Sequence, residues 1–519
     1  MPSLPDLQML EKDALADEQT SAPSRRRFLT IGASAAAAIA GAATVEAQVS
    51  RSGKNLGMPA PSTKLDPSTD WKDPVLRLVR RISMGLSPAE VALARQLGYA
   101  GYLEYQLNAA AIDDSAVDAF VATNYPFVGQ TSAQLKSVDS GEAYNQLSDA
   151  AVYRAAFSKR QLKERMVEFW TDHFNILWDK VSYLKITDDR DVIRANALGK
   201  FPDMLRASAQ SAAMLGYLDQ SSSRKPTPNQ NYAREIMELH TLGVDGGYTQ
   251  TDVAQLSRIL TGFSYDSNGN FLYQKNFHDF TAKTFLNTAF PAMTASATAA
   301  QMKAEADTAI TMLVTSPATA KYIATKMTRW LLAHEPPASV VDATTATYLA
   351  TGGDIKAMIR TILTGKNLMA APAKYKRPFH LVASSLRALN AEVTNIRSTQ
   401  QKLDNLLDMT PFYHEQPDGY NDKVGWWSGL AIERWNWATY ISTQNSATNT
   451  RINTTTNFRA PLDTADGVVN QINLRVFGGE APALLKTQLA TYLKGGTYND
   501  TRIRETLALA LSSHQFQWY

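Results

Sequence analysis

The chain has 519 residues, no cysteine, 44% hydrophobic and 19% charged residues, and a formal net charge of +3. That length can bury one large core or two packed ones, and the lack of cysteine excludes disulfides, thiolate metal ligands and thiol nucleophiles. The small basic surplus is scattered, so nucleic-acid binding is not expected.

Residues 1–23 are polar. Ser24-Arg25-Arg26-Arg27-Phe28-Leu29-Thr30 then precedes an Ala/Gly-rich run from Ile31 to Val45, and Val45-Glu46-Ala47 ends in a small residue. This stretch resembles a twin-arginine (Tat) export signal, with Arg25 and Arg26 as the pair and Phe28 and Leu29 at the expected offsets. The expectation is a signal peptide over 1–47, a partnership with the twin-arginine export machinery, and a periplasmic or extracellular destination. The route carries proteins that fold before crossing, which points toward a metal or redox centre. Residues 48–73, rich in Ser, Pro, Lys and Asp, read as a linker. The rest, 74–519, reads as one helical module that allows a division into two packed subdomains, 74–290 and 291–519. No second stretch of 18 apolar residues follows the signal, so the mature chain is expected to have no permanent membrane span.

Helical pattern begins at Val75. Ser87-Pro88-Ala89-Glu90 reads as a start: Ser caps, Pro occupies the first turn, and Glu90 closes a capping box, with Gly98 as the stop. Residues 161–176 form a second helix. Met166, Phe169, Trp170 and His173 share its apolar side, and Glu164, Glu168 and Asp172 form a neighbouring strip at one-turn spacing. His173 is then either a core histidine or a ligand or general base helped by Glu168 or Asp172.

The stretch from Asn229 to Gly243 reads as one helix, with Tyr232, Ile236 and Leu239 inward and Gly243 as the stop. Arg234, Glu238, Asn231 and Glu235 fall within an arc of about 100° on the other side. Such an arc can be a buried Arg–carboxylate cluster, a metal or substrate site, or a solvated face. Thr249-Gln250-Thr251-Asp252 resembles a capping box, and 263–290 reads as a small irregular or hairpin insertion. Ser316-Pro317 starts a helix with Tyr322, Ile323, Met327 and Trp330 on its apolar side. Residues 410–437 are dense in aromatics, including Trp426, Trp427, Trp435 and Trp437. They suit either a saccharide platform or the packing of a long loop.

The fold class expected is all-α, mainly short to medium helices. No Gly-x-Ser-x-Gly elbow, His-Glu-x-x-His, Walker loop or dinucleotide fingerprint occurs, and strand-like alternation is rare. What remains is carboxylate and histidine chemistry presented by helices. The metal candidates are Asp172, His173, Glu235 and Glu238, with His240 and Asp252 as outer options, and a divalent metal is the cofactor candidate. His240 lies about 140° round the helix from Glu235, so both reach one ligand only through a distorted turn.

Several motifs together carry a family resemblance: Phe169-Trp170-x-x-His173-Phe174; Asn229-x-Asn231-x-Ala233-Arg234-Glu235-x-x-Glu238-Leu239-x-Thr241-Leu242-Gly243; Tyr248-Thr249-x-x-Asp252-Val253; Thr261-Gly262; His278-Asp279 with Lys283; Ser316-Pro317; Lys376-x-Pro378-Phe379; and Ser512-Ser513-x-x-Phe516-Gln517. In this order, over 75–519, they resemble the domain of unknown function family 1800 (DUF1800). The resemblance implies an export signal and a partner from a second exported family of unknown function, DUF1501, but no activity. Members commonly carry His-Asn-His where this chain has Thr171-Asp172-His173, and the segment Gln416 to Tyr420 is shortened. The expectation is an exported protein acting as a metal- or carboxylate-dependent hydrolase on envelope or extracellular polymer. Glu235, Glu238 and His173 would be catalytic, and Arg234 would orient a carboxylate or anionic group. The alternative is a non-catalytic assembly or binding protein partnering another exported protein.

Overall fold

The computed structural model describes residues 71–294 and 296–519. Arg25, Arg26, Phe28 and Leu29, the signal segment 1–47 and nearly all of the linker 48–73 lie outside the described residues. Among the described residues the fold is mainly α-helical, with three two-stranded antiparallel ribbons.

Helix α1 (Pro74–Ile82) starts where the Asp73 carboxylate accepts from the backbone N–H of Val75 and Leu76, with Pro74 at the first position. Helix α2 (Pro88–Leu107) is capped by Ser87, whose hydroxyl accepts from Glu90 N. Glu90 does not close the expected box. Its carboxylate pairs with Arg387 and accepts from the Tyr102 hydroxyl, so a buried partner displaced the local one. At Gly98 (φ +70°) the chain breaks its helix and resumes at once, because a left-handed residue there reorients the axis.

Helix α3 (Gln161–His173) buries Met166, Phe169, Trp170 and His173 as its spacing predicts. The stretch from Asn229 is not one regular helix. Helix α4 (Asn231–Glu235) passes into a π-helical turn over Ile236–Thr241. The wider turn moves the inward side to Tyr232, Ala233, Ile236, Met237, His240 and Thr241, leaving Leu239 half-buried. Gly243 (φ +83°) ends it, and a Cβ there would stand 2.7 Å from the Tyr322 ring.

Helix α5 (Gln250–Ile259) begins with the capping box expected of Thr249 and Asp252. The 263–290 insertion is two hairpins: β1 (Phe263–Tyr265) with β2 (Phe271–Tyr273), and β3 (Lys283–Phe285) with β4 (Thr288–Phe290). Helix α6 (Pro317–Leu331) is capped by Ser316.

Two large apolar clusters hold these elements. One gathers Leu76, Trp170, Phe201, Ile236, Met327 and others between 76 and 371. The other joins 117–157 to 381–516 through residues such as Leu147, Trp437 and Phe516. The aromatic segment divides: Trp427 and Trp437 are 2% and 0% exposed, whereas Trp426 and Trp435 are 59% and 42% exposed. Packing claims the first pair. Among the described residues no helix is long and apolar enough to cross a membrane.

Candidate functional site

Two groups of carboxylates stand out, and burial separates them. The strip on α3 turns inward, and each member meets a guanidinium. Glu164 Oε1 pairs with Arg194 Nη2 at 2.5 Å. Glu168 takes Arg165 Nη1 at 2.6 Å on one oxygen and Arg377 Nη2 at 2.5 Å on the other. Asp172 Oδ2 pairs with Arg377 Nη1 at 2.5 Å, and its other oxygen accepts from Tyr420 N at 3.3 Å. Around these groups lies a small cavity of about 60 Å3, lined also by Asp189, Met409 and Phe412.

Burial alone would lower the Arg377 pKa, but Asp172 and Glu168 outweigh it and raise it. Burial raises that of Asp172, with Arg377 opposing. Trp330 braces the cluster, its ring centroid 4.3 Å from Arg165 and 4.9 Å from Arg377. Gly419 is required here, since a Cβ on it would stand 2.3 Å from Asp172 O. The network fixes the segment bearing Arg377, and the loop through Tyr420, onto α3.

On α4 the arrangement is the reverse. Glu235 and Glu238 are half-buried, and neither carboxylate makes a hydrogen bond or ion pair with the described residues. Arg234 does not hold them; its Nη1 donates to Gln250 Oε1 at 3.0 Å. Asn229 caps the turn, its Oδ1 accepting from Asn231 N at 2.8 Å. Burial, together with Glu238 and Asp418, raises the Glu235 pKa, while Arg234 opposes. A carboxyl raised in this way keeps its proton to higher pH than an ordinary glutamate does.

Lys326 lies within reach of the charges of Asp172 on α3 and of Asp418, the loop acid that also acts on Glu235. It sits on α6, half-buried, with Nζ 5.6 Å from the Tyr322 ring centroid, and its amine makes no hydrogen bond or ion pair with the described residues. Burial lowers its pKa to about 8, against the pull of Asp172 and Asp418. His173 is sealed: its Nε2 lies 3.2 Å from His240 O, and burial drives its pKa well down. The charges acting on it are those of Lys326 and His240. His240 is buried beside it, ring centroids 6.0 Å apart, with a pKa pushed down to about 3 by burial and Lys326. Both histidines are therefore neutral.

Asp252, His278, Asp279 and Lys283 gather elsewhere, as anchors of the hairpins. Asp252 Oδ1 accepts from Leu286 N at 2.9 Å, and Asp279 pairs with Arg258 at 2.7 Å. Lys283 pairs with the buried Glu305 at 2.7 Å, with His278 Nε2 at 3.5 Å from the same carboxylate.

Among the described residues no three His, Asp or Glu side chains converge as a metal-ligand set. Asp172 is spent on Arg377 and His173 faces a carbonyl, so the set Asp172, His173, Glu235 and Glu238 does not fit a divalent metal.

Sequence reasoning missed Lys326 and Asp418. The first left a signal: Lys326 falls at one-turn spacing from Tyr322 and Trp330, inside the apolar stripe of α6. Asp418 left none, because loop geometry alone brings it near Glu235 and Lys326.

The family model described as protein of unknown function (DUF1800) matches residues 77–518. No curated protein and no solved structure matches the chain.

Proposed function

The chain belongs to the DUF1800 family, and from that premise we propose that it works outside the cytoplasm as a carboxylate-dependent hydrolase of an envelope or extracellular polymer. One observation carries the reading: Glu235, at the end of α4, and Glu238, on the π-helical turn after it, are half-buried and engaged by no hydrogen bond or ion pair among the described residues. Leaving two carboxylates partly desolvated and unpaired costs stability, which is retained where the groups serve a ligand. Glu235, with its raised pKa, is the proton donor to the leaving group. Glu238 is the base that takes a proton from water. Lys326, with its unbonded amine, stabilises negative charge developing at the scissile bond. His173 has no part in the chemistry, being sealed behind Lys326. Export rests on Arg25, Arg26, Phe28 and Leu29, and a DUF1501 family protein is the proposed partner outside the cell membrane.

The test uses mature protein purified after export in its native host, incubated with envelope glycans, peptidoglycan and extracellular polysaccharides, with released products read by mass spectrometry. Glu235→Gln and Glu238→Gln should each lower turnover at least ~100-fold, and a chelator should leave it unchanged. No product from any polymer, or full turnover in the double variant, removes the hydrolase reading in favour of a binding or assembly role. Replacing Arg25 and Arg26 by Lys should hold the protein in the cytoplasm on cell fractionation. Undiminished export would remove the twin-arginine assignment.

A further inference from the structure

A second, larger cavity of about 520 Å3 shares no residue with the Glu235–Glu238 face. It lies where the 132–135 helix, the π-helical turn Asp189–Arg194, the start of the 212–217 helix and the Asn268–Asn270 tip of the β1–β2 hairpin meet. The π-helical turn divides its side chains between two spaces. Arg190, Asp191 and Val192 line the large cavity, and Asp189 and Arg194 line the small one behind α3. Widened turns of this kind recur at functional sites.

The size lies within the range of small-ligand pockets, ~300–1,000 Å3, but the lining is not the usual apolar one. Val192 is its largest aliphatic side chain and no aromatic ring is present. Its charges are already matched. Asp188, fully buried, takes Lys185 Nζ at 2.7 Å and the Ser211 hydroxyl at 2.8 Å. Arg190 is held by Asp191 at 2.7 Å and donates to Gln130 O at 2.7 Å. An anionic or cationic ligand finds no spare counter-charge here, and a lipid or aromatic ligand finds no apolar wall.

What is left over is neutral hydrogen-bonding capacity. The side-chain amides of Gln210, half-buried, and Asn268, exposed at the rim, make no hydrogen bond with the described residues, and each offers a donor and an acceptor side by side. The Thr187 and Ser132 hydroxyls in the wall are already engaged, bonded to each other at 3.1 Å with Thr187 donating to Leu184 O, so the free capacity is that of the two side-chain amides. The site is also rigid. Gly269 (φ +76°) brings the hairpin tip so close that a Cβ there would stand 2.6 Å from Ser132 Cβ, and the buried Lys185–Asp188 pair fixes the floor. We infer that this cavity is a binding site for a neutral saccharide, whose adjacent hydroxyls match the paired donors and acceptors of Gln210 and Asn268. The site stands independently of the hydrolase reading; if both hold, the polymer is a glycan and this pocket grips it away from the bond that is cut.

The experiment is titration calorimetry with saturation-transfer NMR on the full mature chain, using cellobiose, maltose and diacetylchitobiose as neutral probes and galacturonate and glucosamine as charged controls. At least one neutral disaccharide should bind in the millimolar range. Gln210→Ala and Asn268→Ala should each weaken it about fivefold, one net hydrogen bond apiece. Ala133→Trp, at an exposed wall position, should abolish it with the circular dichroism spectrum unchanged. Retained saccharide binding in Glu235→Gln, with hydrolysis lost, separates this pocket from the proposed chemistry. No binding by any neutral probe, binding that survives Ala133→Trp, or tighter binding of a charged control overturns the inference.

Discussion

On α3 the carboxylates Glu164, Glu168 and Asp172 each end on an arginine, whereas Glu235, at the end of α4, and Glu238, on the π-helical turn after it, end on no group among the described residues. Read along the chain, both stretches place acids three or four residues apart, so the sequence pattern does not distinguish them. What distinguishes them is what lies opposite. Arg377 comes from 205 residues beyond Asp172, with Arg165 and Trp330 closing the cage around it. The charges acting on Glu235 are Glu238, Arg234 and Asp418, and among the described residues none of them forms a hydrogen bond or ion pair with it. The first group is a structural lock, and the second is the proposed site.

That contrast sets the order of expected effects. Arg377→Met should cost about 3–5 kcal/mol in chemical denaturation, because the half-buried Asp172 loses its ion-pair partner and the buried Glu168 loses one of two. A loss below ~1 kcal/mol would mean that the lock holds nothing.

Lys326 should come next, through pH. Its folded pKa, about 8, lies below the ordinary 10.5. Between those values the unfolded chain binds a proton that the folded chain does not, so stability should rise with pH across that window. Lys326→Met should flatten the rise, and competitive acylation read by mass spectrometry should place the amine near 8 in the wild type. An amine titrating like the surface lysines would put it outside the site.

Glu235 has the opposite sign. Its folded pKa is raised, so its contribution is present at low pH and fades as pH climbs through its folded value. Glu235→Gln should remove that fall and change stability at neutral pH by less than ~1 kcal/mol. A large destabilisation would show that the carboxylate is structural after all. The smallest effect belongs to Arg234→Ala, within ~0.5 kcal/mol, since its one hydrogen bond goes to the exposed Gln250. A larger effect would mean that Arg234 screens the two glutamates in solution, which would blur the distinction between the two helices.

Much of the scaffold could be read along the chain because it is local. Ser87-Pro88, the break at Gly98, the Thr249–Asp252 box, the hairpin insertion and the inward side of α3 all depend on residues within a turn or two of each other. The readings that missed each involved a distant partner or an irregular turn. Glu90 looked like a box residue until Arg387 claimed it. Arg234 looked like the partner of the glutamates beside it, yet it reaches across to Gln250. His240 looked misplaced for Glu235, and the π-helical turn does distort the helix, but it carries the imidazole into the core beside His173.

The sequence by itself determined where most of the helices start, the apolar side of α3, and that acids would line α3 and the stretch after Asn231, since propensity, capping and periodicity act over a few residues. Only the tertiary structure decided which acids are neutralised and which stay free. A carboxylate's partner and its pKa depend on burial and on charges delivered by remote segments, here Arg377, Lys326 and the loop at Asp418, whose positions no local pattern encodes.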